Sequence, residues 1–445
     1  MFAISILVLL SITAQLKADH GFDVRHHLST VTTYDAAKDL VKASANSIPD
    51  GCTPIHLNLV ARHGARSPTI KRMRELDKLA SHLEELIKDA EEQKLSLEKV
   101  PLWLRGWKSP WREKLKGGEL ITKGEEEMYN LGIRIRERFP ELFEEEYHPD
   151  VYPIKATQVP RASASAVAFG IGFLSEKGTL GPARHRAFAV TSESRASDII
   201  LRFHDCCGKY KAFRKSQEPA VDKLKESVLD EITSALTSRY GLNFTRKNVA
   251  MLWFLCKQEA SVLDITDQAC DLFSPSEVAL LEWTDDLEMF ILKGYGNSIN
   301  YRMGVPLLAD VVQSMEQAIK AKEEKHAPGS YEKARLRFAH AETVVPFTCL
   351  LGTFFLMILN SKKYKGRNLW NLLQNLPRVE IGGAAIKYFV QVLHNEHPIP
   401  MAGCNGSDFC PFEEFKEKIV APHLKHDYNS VCTVQPEEPQ HKPAT

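Results

Sequence analysis

The sequence predicts an α/β fold carrying a mostly helical insertion, and three passages of one form predict it. In each, a short run that reads as a buried strand ends near an arginine or histidine, turns, and gives way to a helical pattern. Proteins of this class bind ligands beyond the carboxyl ends of their strands. The three strand ends are therefore expected to share one site.

The first passage begins with Ile55, Leu57, Leu59 and Val60, followed by Arg62-His63-Gly64-Ala65-Arg66-Ser67-Pro68-Thr69. A helix face follows in Leu76, Leu79, Leu83, Leu86 and Ala90. Neutral imidazole is a nucleophile, and guanidinium offers a planar fork of donors that matches phosphate oxygens at any working pH. A histidine between two arginines points to phosphoryl transfer through a covalent phosphohistidine. The second passage is a strand over Val151–Thr157, then Arg161, then a small-residue helix from Ala162 to Phe173. In the third, residues 335–339 read as a strand leading to His340-Ala341-Glu342-Thr343 and an apolar helical run from Val344 to Leu359. Glu342 is placed to protonate a leaving alkoxide. A carboxylate in the first turn of a helix also offsets the helix dipole, and on sequence alone both readings stand.

Elsewhere, Thr122-Lys123-Gly124-Glu125 reads as a capping box opening a helix with Met128, Leu131 and Ile135 on one face. Residues 205–330 are rich in helical patterns, such as Val221 to Leu236 and Leu307 to Lys320, and the turn Ala327-Pro328-Gly329-Ser330 marks the return to the core. The expected organisation is a leader over 1–18, an α/β domain over 45–205 and 330–432, a helical cap over 206–329, and a disordered tail over 433–445. Trp103, Trp107 and Trp111 recur every four residues and read as core packing or a domain-interface cluster rather than a ligand platform. His394-Asn395-Glu396-His397 reads as a surface turn rather than a metal site.

Lys plus Arg and Asp plus Glu both number 57, so the chain as a whole has no electrostatic bias toward nucleic acid. Between Ala61 and Lys78, however, six basic residues (Arg62, Arg66, Lys71, Arg72, Arg74, Lys78) face two acids, Glu75 and Asp77. That local excess suits a small polyanionic substrate, with Lys71 and Arg72 the substrate-binding candidates nearest the motif. The apolar run from Phe2 to Leu10, with small residues at Ala14 and Ala18, reads as a secretory signal peptide, although no basic residue precedes it. It falls short of the ~20 residues a spanning helix needs, so no membrane anchor is expected in the mature chain. Nine cysteines without C-x-x-C spacing, and the sequons at Asn243 and Asn405, fit an oxidising secretory route ending outside the cell or in a vacuole.

The octet at 62–69 and the His-Ala-Glu at 340–342 together resemble the histidine acid phosphatases, in the branch of the multiple inositol polyphosphate phosphatases and plant phytases. The likeness covers roughly residues 50–432, through Gly118-Glu119-Leu120, Gly132 and the Arg161 segment. It implies a phosphoglycerate-mutase-like α/β domain with an inserted helical cap. It further implies that His63 attacks phosphorus, that Arg62, Arg66, Arg161 and His340 hold the phosphoryl oxygens, and that Glu342 protonates the leaving inositol oxygen and then activates water. No cofactor or metal is implied, since guanidiniums supply the positive charge. By the same resemblance Cys52 would pair with Cys349, Cys256 with Cys270, Cys404 with Cys410, and Cys432 with Cys206 or Cys207. Ala65 departs from the branch, where many relatives carry Thr, which implies altered substrate contacts rather than lost chemistry. The expected activity is phosphomonoester hydrolysis of phytate and lower inositol polyphosphates. A broad acid phosphatase is the alternative, and a non-catalytic polyanion-binding relative a more distant one.

Overall fold

The computed structural model describes residues 22–39, 48, 51–353 and 388–433. The expected leader, and the expected tail beyond Thr433, lie outside the described residues. Three strands, β1 (Leu57–Arg62), β2 (Ile154–Ala156) and β3 (Ala334–Ala339), form a parallel sheet in the order β1-β3-β2. Two further strands, β4 (Phe389–Gln391) and β5 (Phe409–Pro411), pair antiparallel. The longer helices among the described residues are α1 (Ile70–Glu92), α2 (Thr122–Arg138), α3 (Pro160–Phe173), α4 (Gly208–Tyr240), α5 (Arg246–Gln258), α6 (Pro275–Leu292), α7 (Val305–Glu323) and α8 (Ala341–Leu350).

The chain divides into two compact units. One contains residues 37–67, 118–222 and 288–445 and holds the sheet; the other contains residues 1–36, 68–117 and 223–287 and is helical. This corrects the expected boundaries. Residues 68–117 join the helical unit, whereas 206–222 and 288–329 join the sheet unit. Helices α4 and α6 each contribute residues to both. Periodicity shows that a helix has an apolar face but not which core that face enters.

In the sheet unit, β3 is the central strand, and five of its six residues are buried. Parallel strands need crossovers, and helices supply them at the faces. Phe338 of β3 packs on Phe169 of α3 with ring centroids 5.1 Å apart. Helices α2 and α3 cross so closely that a Cβ at Gly132 would lie 2.3 Å from the Phe169 carbonyl oxygen, and one at Gly172 2.1 Å from that of Tyr129. Only glycine permits that approach. A further cluster gathers Phe203, Leu307, Leu308, Phe347 and Phe415.

In the helical unit, α1 buries Met73, Leu76, Leu79, Leu83, Ile87 and Ala90, with Leu252 and Trp253 of α5 in the same core. Trp111 is buried, and Trp103 and Trp107 pack against that core, as their spacing suggested. Helix α5 begins with a capping box between Thr245 and Asn248. The capping box expected at Thr122 does not form. Ile121 takes the cap position of α2 without a side-chain hydrogen bond, and Thr122 is already inside the helix. At 394–397 the chain makes a hairpin turn with positive φ at Asn395 and Glu396, and Glu396 is taken by Arg134.

Disulfides join Cys207 to Cys432, Cys256 to Cys270 and Cys404 to Cys410. Cys207 is thus the partner of Cys432, and Cys206 is a free thiol. The expected Cys52–Cys349 bridge is absent: Cys52 is exposed and Cys349 buried, both as thiols. Bonded sulfurs share one environment at ~2 Å separation, which these two do not. The parallel ladder ties the two strands instead, in register from Leu57↔Ala334 to Arg62↔Ala339.

Candidate active site

The register of the sheet brings the three sequence passages together. Arg62 lies opposite Ala339, and the His63 amide donates to the Ala339 carbonyl at 3.0 Å. His63 and His340 therefore leave adjacent strands side by side, their rings 5.4 Å apart at 65°. From β2, the Thr157 amide donates to the Phe338 carbonyl, and its Oγ1 lies 2.9 Å from His340 Nε2. Arg161, in the first turn of α3, reaches His340 Nδ1 with Nη2 at 3.4 Å.

The loop after His63 is held from several sides. Gly64 N–H donates to Ser165 Oγ, which itself donates to the Arg161 carbonyl. Ala65 N–H donates to Glu127 Oε2 at 2.7 Å, and the Ala65 carbonyl accepts from Ile121 N–H. A Cβ at Gly64 would sit 2.3 Å from the Gly124 carbonyl oxygen, and one at Gly124 2.1 Å from that of Ala65. The glycines let the start of α2 press against the loop, which fixes His63 and Arg66.

The protonation of His63 follows from its contacts. Its Nδ1 lies 2.9 Å from the Gly64 carbonyl oxygen, which can only accept, so Nδ1 carries the proton and the lone pair is on Nε2. Burial, then the Arg62 charge, push its pKa down to about 2, so the ring is neutral and nucleophilic. His340 is likewise pushed down to about 3 by burial and by Arg161 and Arg202. Arg202 Nη1 at 3.0 Å from His340 Nε2 and Arg161 Nη2 at 3.4 Å from Nδ1 are both donors, and a neutral ring accepts at only one of its two nitrogens.

Arg202 was not found by sequence reasoning, and neither were Lys293, His204 and Asp205. Arg202 is buried and paired with Asp205, and His204 lies 3.7 Å from the same carboxylate. Lys293, just past the end of α6, binds Glu342 Oε1 at 2.9 Å. Burial favours the neutral acid at Glu342, yet the Lys293 ammonium outweighs it and holds this carboxyl well below its ordinary range. The signal for both was a lone charge beside an apolar run, Ile199-Ile200-Leu201 before Arg202 and Phe290-Ile291-Leu292 before Lys293. Nothing in such a run says where its end is carried.

Five cations (Arg62, Arg66, Arg161, Arg202, Lys293) thus meet three carboxylates (Glu127, Asp205, Glu342), an excess of two positive charges. Burial and then the neighbouring Arg161 and Arg62 lower Arg66 to about 10, which still leaves it charged. The Nε atoms of Arg66, Arg161 and Arg202 are buried with no hydrogen-bond partner among the described residues. Convergent like charges with spare donors are costly unless an anion satisfies them. A phosphoryl dianion matches both the charge and the donor set.

Lys71 and Arg72 fall in the other unit, on α1. Lys71 is exposed, while the Arg72 guanidinium pairs with Glu75 at 2.7 Å and lies over the Phe254 ring.

A sequence model described as the histidine phosphatase superfamily (branch 2) matches residues 55–374. "Multiple inositol polyphosphate phosphatase 1" of Gallus gallus is 28% identical over 379 residues, covering 80% of this chain and 79% of its own length. The protein of the same name from Dictyostelium discoideum is 25% identical over 459 residues, covering 88% of this chain and 70% of its own. Among solved structures, the Bifidobacterium longum multiple inositol polyphosphate phosphatase in complex with inositol hexasulfate superposes with a TM-score of 0.62 at 18% identity, covering 89% of this chain and 98% of its own. The α/β sheet with its helical unit is the fold of that protein. With the neutral His63 and its ring of guanidiniums already in place, the chain belongs to branch 2 of the histidine phosphatase superfamily and is a phosphatase.

Proposed function

We propose that this phosphatase hydrolyses phytate and lower inositol polyphosphates through a phosphohistidine on His63. The observation that carries the proposal is the Nε2 lone pair of a buried, neutral His63 beside guanidiniums whose Nε donors are unsatisfied. The names of the relatives support the choice of inositol phosphates, and so does the excess of positive charge.

In the first half-reaction Nε2 forms a bond to phosphorus as the ester P–O bond breaks, and Glu342 gives its proton to the departing inositol oxygen. Arg62, Arg66, Arg161, Arg202 and His340 hold the equatorial oxygens, where charge stays high through the transition state. In the second, the Glu342 carboxylate takes a proton from water as its oxygen attacks phosphorus and the P–N bond breaks. Inorganic phosphate leaves, and His63 is again neutral. Guanidiniums placed around phosphorus supply the stabilisation, so the residues present account for each step.

Lys71 and Arg72 are assigned to attraction of the polyanion before it is bound. Export through the secretory pathway, to the extracellular space or a vacuole, fits the leader-like start, the disulfides, and the exposed sequon residues Asn243 and Asn405. No helix among the described residues is long and apolar enough to cross a membrane.

The test compares kcat/KM for phytate with that for p-nitrophenyl phosphate, and looks for phosphoryl transfer to His63 in rapidly quenched turnover. Preference for phytate with an acid-labile adduct is expected. Equal or better hydrolysis of the simple ester would leave a general acid phosphatase, and full activity in His63→Ala would remove the nucleophile assignment.

A further inference from the structure

A proton donor must hold its proton when the leaving group departs, yet Glu342 is ion-paired with Lys293 at 2.9 Å. The pair is mostly shielded: side-chain exposure is 14% for Lys293 and 28% for Glu342. Both the charge and the geometry therefore favour the ionised carboxylate in the free enzyme, the form that cannot act as an acid. The remaining charged and titratable groups around Glu342 come from every neighbouring element. They are Arg62 at the end of β1 and Arg66 beyond it, Arg161 on α3, His204 in the short helix Phe203–Cys206, Tyr210 on α4, and His340 just past β3. The arginines among them add to the effect of Lys293, so nothing in the site itself loads the acid.

An arriving phosphate group changes that balance. It brings negative charge among the same cations and offers oxygens to the three donors of an ammonium group. We propose that Lys293 is a positioning residue that holds Glu342 as a carboxylate in the free enzyme and turns to the substrate phosphate on binding, so that the acid gains its proton only in the complex. This rests on the reading of Glu342 as proton donor. The proton comes from bulk solvent as substrate binds and passes to the inositol oxygen as the P–O bond breaks. Water then returns a proton to Glu342 during hydrolysis of the phosphohistidine. Departure of inorganic phosphate lets the Lys293 pair re-form and releases that proton to solvent. A monoester with few charges would load the acid less completely than phytate, which gives the site a bias toward polyanions that needs no contact to the inositol ring.

The test is the pH dependence of phytate hydrolysis by the wild type, Lys293→Met and Lys293→Arg. The alkaline limb of kcat/KM reports the free enzyme, and that of kcat reports the complex. In the wild type the kcat limb should lie at higher pH than the kcat/KM limb. Lys293→Met should move the kcat/KM limb up by about one pH unit or more and narrow the gap, whereas Lys293→Arg should restore the wild-type separation. With p-nitrophenyl phosphate, whose leaving group needs no proton, the limb should keep its position in Lys293→Met whatever the rate. Coincident phytate limbs in wild type and Lys293→Met, with Glu342→Gln still inactive on phytate, would overturn the role of Lys293 alone. Full phytate turnover in Glu342→Gln would instead overturn the underlying assignment of the acid.

Discussion

The two ends of the sheet use the same kinds of residue to opposite purpose. At the amino end, Arg337 is 1% exposed and donates to Asp310 and Asn58; Arg335 spans Asp310 and Glu332; His56 binds Glu332 at 2.9 Å, and Ser314 donates to Asn58. No buried side-chain polar atom of that network lacks a partner. At the carboxyl end, four arginines and a lysine converge, and three Nε atoms have none among the described residues. A charge that is fully paired inside the protein is architecture. Charges of one sign gathered with donors to spare suit an anion, which would relieve their repulsion.

Removing one guanidinium from each end should have opposite consequences. Arg337→Met leaves the Asp310 carboxylate with only Arg335 and the Asn58 oxygen with only Ser314, so unfolding by denaturant should be easier by ~3 kcal/mol, the lower end of the usual cost of breaking a buried pair. Its turnover per folded molecule should be unchanged. A variant of normal stability would show that the amino-end network contributes nothing net.

Arg66→Ala should behave in the opposite sense. Loss of one preorganised donor to the phosphoryl oxygens should lower kcat for phytate by ~10²–10³, or ~3–4 kcal/mol of transition-state stabilisation. The denaturation midpoint should hold or rise, because Arg161 and Arg62 lose a like-charged neighbour. Should the midpoint fall as far as in Arg337→Met while turnover stays high, the two ends are not different in kind.

The sequence made the two ends legible to different degrees. His63, Arg66, Arg161, His340 and Glu342 each stand within three positions of a turn between a strand and a helix pattern, so residue type and order sufficed to place them at strand ends. Arg202 and Lys293 arrive from a loop and from just past a helix end, and their direction is set by tertiary packing. The amino-end network was illegible for the same reason: Arg335 and Arg337 lie in a recognisable strand, but their carboxylate partner Asp310 is on α7, nearly thirty residues away. Thr122 shows a local rule losing to context, since its helix starts one residue early against Ile121. The unit boundaries differ from the expected ones because the division falls inside α4 and α6, and a helical pattern carries no mark of it.

The two ends also differ in how their stability responds to pH. His63, His340 and His204 are pushed down to about 2, 3 and 4, in each case chiefly by burial, against an ordinary value near ~6.5. As pH falls through ~6.5 the unfolded chain takes up these protons while the folded chain does not, so the unfolded state binds more protons and stability declines. The decline continues until the folded-state values are reached. Glu332, held low at the amino end despite its burial by His56 and Arg335, also loses its contribution as pH falls, but only below the ordinary carboxylate range. Between pH 6.5 and 5 the histidines of the carboxyl end contribute to the loss; His56, His394, His423 and His426, lowered chiefly by burial, add to it, and Glu259, which burial pushes up to about 7, opposes it. Inorganic phosphate should oppose that loss, since an anion among the imidazoles favours their charged forms and ties proton uptake to binding. At a hundred times its Kd it should add ~2.7 kcal/mol of stability, and at one fixed phosphate concentration the rise in Tm should be larger at pH 5 than at pH 7.5. Arg66→Ala should lose most of that increment and Arg337→Met should keep it, because only one of the two removed charges faces the anion. An increment of equal size in both variants, read by calorimetry at the two pH values, would place the phosphate elsewhere and remove the distinction between the ends.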